Sequence, residues 1–280
     1  MQNETKIAFI GAGNMAEAII SGLLQQNLYR NDQLLATNRS NKERLAQLQN
    51  KYEIITTHDK DFLLSEATVL ILAVKPKDIA ETIETYKTYI QPHHLIISVA
   101  AGVSTTTITE LTGQKIAVIR SMPNTSAATA ESATALSAGT YTTDEHMKLA
   151  VELFETVGTV SIVEEEHLHA VTGLSGSGPA YVYYLVEAME KAALDLGLEG
   201  STAKELILQT IIGSAKMLQT SDKSPRTLRK EVMSPNGTTE AGLNVLADYH
   251  TQEAMINCIK RAAERSEEMG QELAHILLRS

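Results

Sequence analysis

Near its carboxyl end the chain reads Ser234-Pro235-Asn236-Gly237-Thr238-Thr239, residue types whose spacing suits the capture of a small anion. Pro235 sets a turn, and Asn236 and Gly237 tolerate left-handed backbone that other residues resist. Thr238 and Thr239 stand where the next helix, about Glu240 to Asp248, begins. Such a start exposes backbone N–H groups and a partial positive charge, which suit a carboxylate or a phosphate. Taken alone, the run also reads as an ordinary capped helix after a tight turn. The opposite end adds a second anion signal. There an apolar strand, Lys6-Ile7-Ala8-Phe9-Ile10, runs into Gly11-Ala12-Gly13-Asn14-Met15-Ala16 and then into a helical pattern from Ala18 to Leu24. This is GxGxxA in the strand–turn–helix setting that a dinucleotide requires. Gly11 permits the turn, Gly13 admits the pyrophosphate, and small Ala16 lets helix and strand pack closely.

The second strand, Gln33 to Thr37, points to the cofactor. It ends Thr37-Asn38-Arg39-Ser40, without the acid that bonds ribose hydroxyls in NAD-preferring proteins. Arg39 could stack on adenine and hold a 2′-phosphate in its fork of donors. Lys42 and Arg44 lie close by in sequence, either as cofactor cations or as solvated helix charges. The expected cofactor is NADPH, with NADH less favoured.

These residues need a frame. From Lys6 to about Val163, apolar runs alternate with helical stretches near Lys42–Lys51, Asp78–Tyr89 and Thr105–Leu111. The runs are Val69 to Val74, Leu95 to Val99 and Ile116 to Arg120. Continuous apolar strands between helices imply a parallel sheet covered on both faces, binding ligands at its strands' carboxyl ends. The loops expected there are Ala73-Val74-Lys75-Pro76, Ala100-Ala101-Gly102 and Ser121-Met122-Pro123-Asn124-Thr125. Lys75 could approach a cofactor or be solvated. After Glu164 the strand signals stop. Helical periodicity covers Leu168–Leu196, broken or begun at Gly173–Pro179, then Thr202–Leu218, Pro225–Val232, Thr239–Asp248 and Glu253–Leu277. The fold class is α/β: residues 1–164 as a doubly wound Rossmann domain, followed by an all-α domain over residues 165–280. Small residues on long helices suggest a core completed by another copy, as a homodimer or larger assembly.

Composition narrows the partners. Among 280 residues, 24 Lys plus Arg face 34 Asp plus Glu, a net charge of −10 that argues against generic nucleic-acid binding. No signal segment or membrane-length apolar run is evident, so a cytoplasmic protein is expected. The single cysteine, Cys258, reads as packing within the last helix. His167 and His169 lack the spacing of a helical metal pair, read as ordinary helix residues, and support no metal site.

Over nearly its whole length the chain resembles the pyrroline-5-carboxylate reductase family. The resemblance rests on GAGNMA at Gly11–Ala16, AVKP at Ala73–Pro76, AAGV at Ala100–Val103 and MPNT at Met122–Thr125. It rests most specifically on TGLSGSGPAY at Thr172–Tyr181 and SPNGTTEAGL at Ser234–Leu243. It implies reduction of the cyclic imine Δ1-pyrroline-5-carboxylate to L-proline with NAD(P)H, and a helical dimerisation domain interleaved between subunits. Cofactor contacts are expected from Ile10, Gly11, Ala12, Gly13, Asn14 and Met15 in the first turn. Asn38 and Arg39 follow, then Ala73, Val74, Lys75 and Pro76, then Ala101 and Gly102. Ser175 and Pro179, in the SGSGP turn, would shape the nicotinamide floor. Backbone N–H groups of Asn236, Gly237 and Thr238 would hold the substrate carboxylate, helped by the Ser234 hydroxyl. The resemblance places the Thr239 hydroxyl at the ring nitrogen. Met233 stands where the family commonly has a small residue, Asn236 replaces a frequent Gly, and Asp59 aligns with an Asn of the adenine pocket.

No His, Lys or carboxylate stands out as a general acid, and an imine that binds already protonated needs none. Two alternative readings compete with it. A β-hydroxyacid dehydrogenase would use a Lys on the inter-domain helix, but Gly173 to Tyr184 holds none and the next is Lys191. A non-catalytic NADPH-binding regulator would need neither the SGSGP turn nor the Ser234–Thr239 run.

Overall fold

Four short runs, IAFI, LLAT, VLIL and LIIS, are buried at every residue. Strands covered on both faces need apolar side chains throughout rather than an alternation. In a computed structural model describing residues 5–277, they lie in one sheet with four others. The strands are β1 (Ile7–Ile10), β2 (Leu34–Thr37), β3 (Ile55–Thr56), β4 (Val69–Leu72), β5 (Leu95–Ser98), β6 (Ala117–Met122), β7 (Ser132–Ala138) and β8 (Gly158–Ile162), in the order β3-β2-β1-β4-β5-β6-β7-β8. Pairs from β3 through to β6 are parallel, β6–β7 is antiparallel, and β7–β8 is parallel again. The antiparallel pair departs from the all-parallel expectation for a plain reason. Only residues 123–131 join β6 to β7, fewer than the dozen or so that a parallel crossover takes.

Helices α1 (Asn14–Gln25), α2 (Lys42–Tyr52), α3 (Lys60–Glu66), α4 (Ile79–Tyr86), α5 (Thr105–Thr112), α6 (Asp144–Glu155) and α7 (Leu168–Val171) cover the two faces. The pleat sorts the core. Ile7 and Phe9 point to one side, with Ile19, Ile20 and Leu23 of α1 and Leu153 and Phe154 of α6. Ala8 and Ile10 point to the other, with Leu63, Leu64, Ile79, Ile83 and Ile108.

The chain forms two compact units. One runs up to Ser177 and resumes at Lys260; the other is Gly178–Ile259. The break at Ser177–Gly178 falls later than the loss of strand signals at 164. Helical residues after Glu164 pack with the sheet: Leu168 is fully buried, and Asn124 donates to the Ser175 carbonyl at 3.0 Å. The second unit holds α8 (Gly178–Asp195), α9 (Gly200–Thr220), α10 (Pro225–Glu231) and α11 (Thr238–Asp248), and α12 (Thr251–Leu277) begins in it. Its apolar side chains are mostly uncovered. Helix α8 buries only Ala193, α9 only Ala203 and Ile207, and α11 none, while Tyr184 is 77% and Tyr249 80% exposed. Cys258, expected to pack, is exposed in α12 for the same reason. No helix among the described residues is long and apolar enough to cross a membrane.

Candidate active site

At the end of β1 the backbone of Gly11 adopts φ +110°, and its N–H donates to the Thr37 carbonyl at 2.9 Å. A Cβ there would lie 2.5 Å from the Ala73 carbonyl oxygen, so both conformation and space demand glycine. Helix α1 then starts with Gly13 as its N-cap, and no side chain closes it. The first intrahelical bond is Glu17 N–H to the Gly13 carbonyl, 3.0 Å. The N–H groups of Asn14, Met15 and Ala16 therefore have no acceptor within the helix. A Cβ on Gly13 would meet no atom within 4 Å, so this glycine leaves room rather than avoiding a clash. An open helix start beside a tight turn suits a diphosphate.

Arg44 braces that turn. Its Nε–H donates to the Ala12 carbonyl at 2.8 Å and its guanidinium pairs with Glu17. Glu17 also accepts from Lys51 Nζ at 2.9 Å and the Tyr52 hydroxyl at 3.0 Å. Hydrogen bonds from Lys51 first, and then Arg44, hold the Glu17 carboxyl down at about 2. Sequence left Arg44 as either a cofactor cation or a solvated charge; it is a brace between α2 and the glycine turn. Only the crossing of α1 and α2 reveals this.

A cavity of about 330 Å³ is lined in part by Ile10, Gly11, Asn38, Arg39 and Val74, all expected cofactor residues. Asn38 donates from Nδ2 to the Asn41 carbonyl at 2.8 Å, while its buried Oδ1 has no hydrogen-bond partner. An orphaned acceptor on this wall suits a ribose hydroxyl. Together with the open start of α1, it means these residues fit a dinucleotide. His58, Lys60, Glu81 and Tyr86 line the same cavity and were missed. Arg39 is held bidentately by Glu81, at 3.0 and 2.9 Å. Asp59, which the resemblance aligns with an Asn of the adenine pocket, caps α3, accepting from Phe62 N–H at 3.1 Å. Lys75 is exposed ahead of the short turn Pro76–Asp78 and does not line this cavity.

Asn14 and Met15 face a second cavity that Thr125 of the MPNT loop also lines. Asn124 organises that loop: its Oδ1 accepts from Ser126 N–H at 3.0 Å, and its Nδ2 carries the Ser175 bond already described. Gly102 sits at φ +79°, close to the backbone of Ser266 in α12. Behind it, buried Arg120 pairs with Glu165 at 3.5 Å, and Glu165 accepts from Thr105 N–H at 2.8 Å. His169, read as an ordinary helix residue, bonds Ser266 Oγ at 2.9 Å. Burial first, then the charge of Arg120, pushes its imidazole below the usual range.

The second unit carries the Ser234–Thr239 turn. Gly237 N–H donates to the Ser234 carbonyl at 2.9 Å, closing a turn with Asn236 at φ +58°. Gly237 itself has φ −85°, so it is not left-handed; a Cβ on it would lie 2.3 Å from Ser234 Oγ. Helix α11 starts at Thr238, with Gly237 as an N-cap that no side chain closes. Its first intrahelical bond is Ala241 N–H to the Gly237 carbonyl, 3.1 Å. The expected donor set changes accordingly. Asn236 N–H is engaged by Glu240 Oε2 at 2.6 Å and Gly237 N–H by the turn, which leaves the first-turn N–H groups of Thr238, Thr239 and Glu240. The Thr239 hydroxyl stands in that first turn. Pro179 lies in α8 of this unit.

A family model described as pyrroline-5-carboxylate reductase dimerisation matches residues 165–269. One described as NADP oxidoreductase, coenzyme F420-dependent, matches residues 6–102. Pyrroline-5-carboxylate reductase 2 of Bacillus subtilis (strain 168) is 49% identical over 269 residues, 96% of each chain. A solved structure of a pyrroline-5-carboxylate reductase from Coxiella burnetii aligns with a TM-score of 0.87 at 36% identity, covering 95% of this chain and 99% of that one. The Plasmodium falciparum pyrroline carboxylate reductase, solved with NADP bound, aligns with a TM-score of 0.88 at 27% identity, covering 96% and 99%.

Proposed function

The chain belongs to the pyrroline-5-carboxylate reductase family, and on that premise we propose that it reduces Δ1-pyrroline-5-carboxylate to L-proline with NADPH, NADH serving less well. It works as a homodimer or larger assembly in the cytoplasm, and the helical region from residue 165 supplies substrate binding and dimerisation. Two helix starts of one kind support this: α1 at Gly13 and α11 at Gly237, each glycine-capped with no side chain closing it. One suits a diphosphate and the other a carboxylate.

Bound NADPH supplies the hydride that reduces the imine carbon. The N–H groups of Asn14, Met15 and Ala16 hold the diphosphate, and Asn38 Oδ1 accepts from the ribose. Arg39 takes the 2′-phosphate. In the second unit, Thr238 and Thr239 N–H groups and the Ser234 hydroxyl hold the substrate carboxylate. The Thr239 hydroxyl faces the ring nitrogen, orients the iminium and stabilises the new amine. The substrate nitrogen arrives protonated, so no side chain donates a proton in the reducing step. Catalysis then comes mainly from holding two reactants in place, worth up to about 7–11 kcal/mol in favourable cases.

The test is purified protein with pyrroline-5-carboxylate, following NADPH loss and proline formation, with NADH and the six-membered imine acid as comparisons. Rapid proline formation with NADPH is expected. NADPH binding without turnover would leave the regulator reading in place.

A further inference from the structure

The cavity at the end of β2 is electrostatically mixed, which a site built only for a phosphate would not be. Arg39, from the β2–α2 loop, lines one side, and Lys60, at the first residue of α3, also lines it, its Nζ 5.9 Å from the centroid of the Tyr86 ring. Glu81, in the first turn of α4, lines the cavity too and closes both arms of its carboxylate on the Arg39 guanidinium, at 3.0 and 2.9 Å. A phosphate would use that fork in the same bidentate way. Two anions therefore compete for one guanidinium.

We propose that Glu81 is a built-in competitor for the 2′-phosphate, holding Arg39 when no cofactor is bound, and that Lys60 is the second cation of the phosphate cradle. The proposal rests on the reading of Arg39 as the 2′-phosphate residue. NADPH must part Arg39 from Glu81 and bring its phosphate beside a carboxylate; NADH meets neither cost. Glu81 thus narrows the gap between the two cofactors and accounts for an NADPH preference that does not exclude NADH. An acid in the first turn of α4 is also favoured by the helix dipole. That role is indifferent to which cofactor binds, so a difference between cofactors separates the two.

The experiment is calorimetric titration of NADPH and NADH into the intact protein and its Glu81→Gln, Lys60→Met, Arg39→Ala and Arg39→Ala/Glu81→Gln variants. Glu81→Gln should tighten NADPH by about fivefold, the span of an exposed ion pair, and leave NADH unchanged or weaker. Lys60→Met should weaken NADPH alone. In the Arg39→Ala background, the gain from Glu81→Gln should shrink. Equal shifts for both cofactors, or none, would overturn the role of Glu81 even where Arg39→Ala weakens NADPH. An Arg39→Ala protein that binds NADPH as tightly as the parent would instead remove the Arg39 reading and the competition with it.

Discussion

The sheet unit and the helical unit use the same amphipathic helices to different ends. In the first, α1 buries Ile19, Ile20 and Leu23 against β1, and the chain completes its own core. In the second, α8 carries Tyr184 and Leu185 and α9 carries Leu206 and Ile212, yet all four stay exposed. Isolated apolar residues on a surface are ordinary, but a helical unit with almost no buried apolar side chain is half of a core. A second copy supplies the other half, as the dimerisation family model over residues 165–269 fits. The difference separates two kinds of site. The glycine turn before α1 stands on a core the chain finishes alone, whereas the Ser234–Thr239 turn stands on helices that another copy must cover.

The largest expected effect comes from charging the uncovered helices. Leu206→Asp with Val245→Asp puts carboxylates where apolar contact is needed, and burying each unpaired would cost several kcal/mol. Sedimentation should show the assembly reduced to single chains; an intact assembly would mean these positions face solvent. Gly13→Val sharpens the contrast from the other side. No atom lies within 4 Å of its Cβ, so the melting temperature should hold while NADPH affinity falls more than about tenfold, through loss of close backbone approach. A fall in melting temperature as well would mean that Gly13 serves the fold.

Within the helical unit, Thr239→Ala should lower kcat by about tenfold to a hundredfold, through loss of the hydroxyl that hydrogen-bonds the nitrogen as its charge is quenched and its lone pair forms. Ser234→Ala should mainly raise KM, because the carboxylate charge does not change during reaction. A Thr239→Ala effect confined to KM would remove its role at nitrogen. The smallest effect is in the sheet unit and follows pH. Glu17 has its folded pKa lowered from 4.5 to about 2, so the unfolded chain binds the extra proton first. The stability Glu17 lends is complete above about 4.5 and drains away as pH falls towards 2. Melting curves of Glu17→Gln and the parent should converge on acidification through that window; a constant offset would contradict it.

What could be read in the sequence follows the same division. VLIL and LIIS announce strands because both faces are buried, and GxGxxA announces its own turn. β7, SATALSA, carries no such mark, since small and hydroxyl side chains fill its close-packed pleat. Asn236 was legible because a left-handed turn position favours so few residues, and it sits at φ +58°. Gly237 was legible as glycine but not for its reason, which is the closeness of Ser234. Arg44 and Glu81 could not be assigned from spacing, because their partners, Ala12 and Arg39, stand 32 and 42 residues away. Glu240, three residues past its helix cap, had a readable signal: an acid there can reach back to the preceding turn.

The dissociated Leu206→Asp/Val245→Asp chain provides the most direct measurement: NADPH affinity by titration beside turnover of pyrroline-5-carboxylate. The sheet unit should bind NADPH as tightly as the parent does, while proline formation is lost. Single chains that turn over at the parental rate would contradict the dependence of the carboxylate site on a second copy.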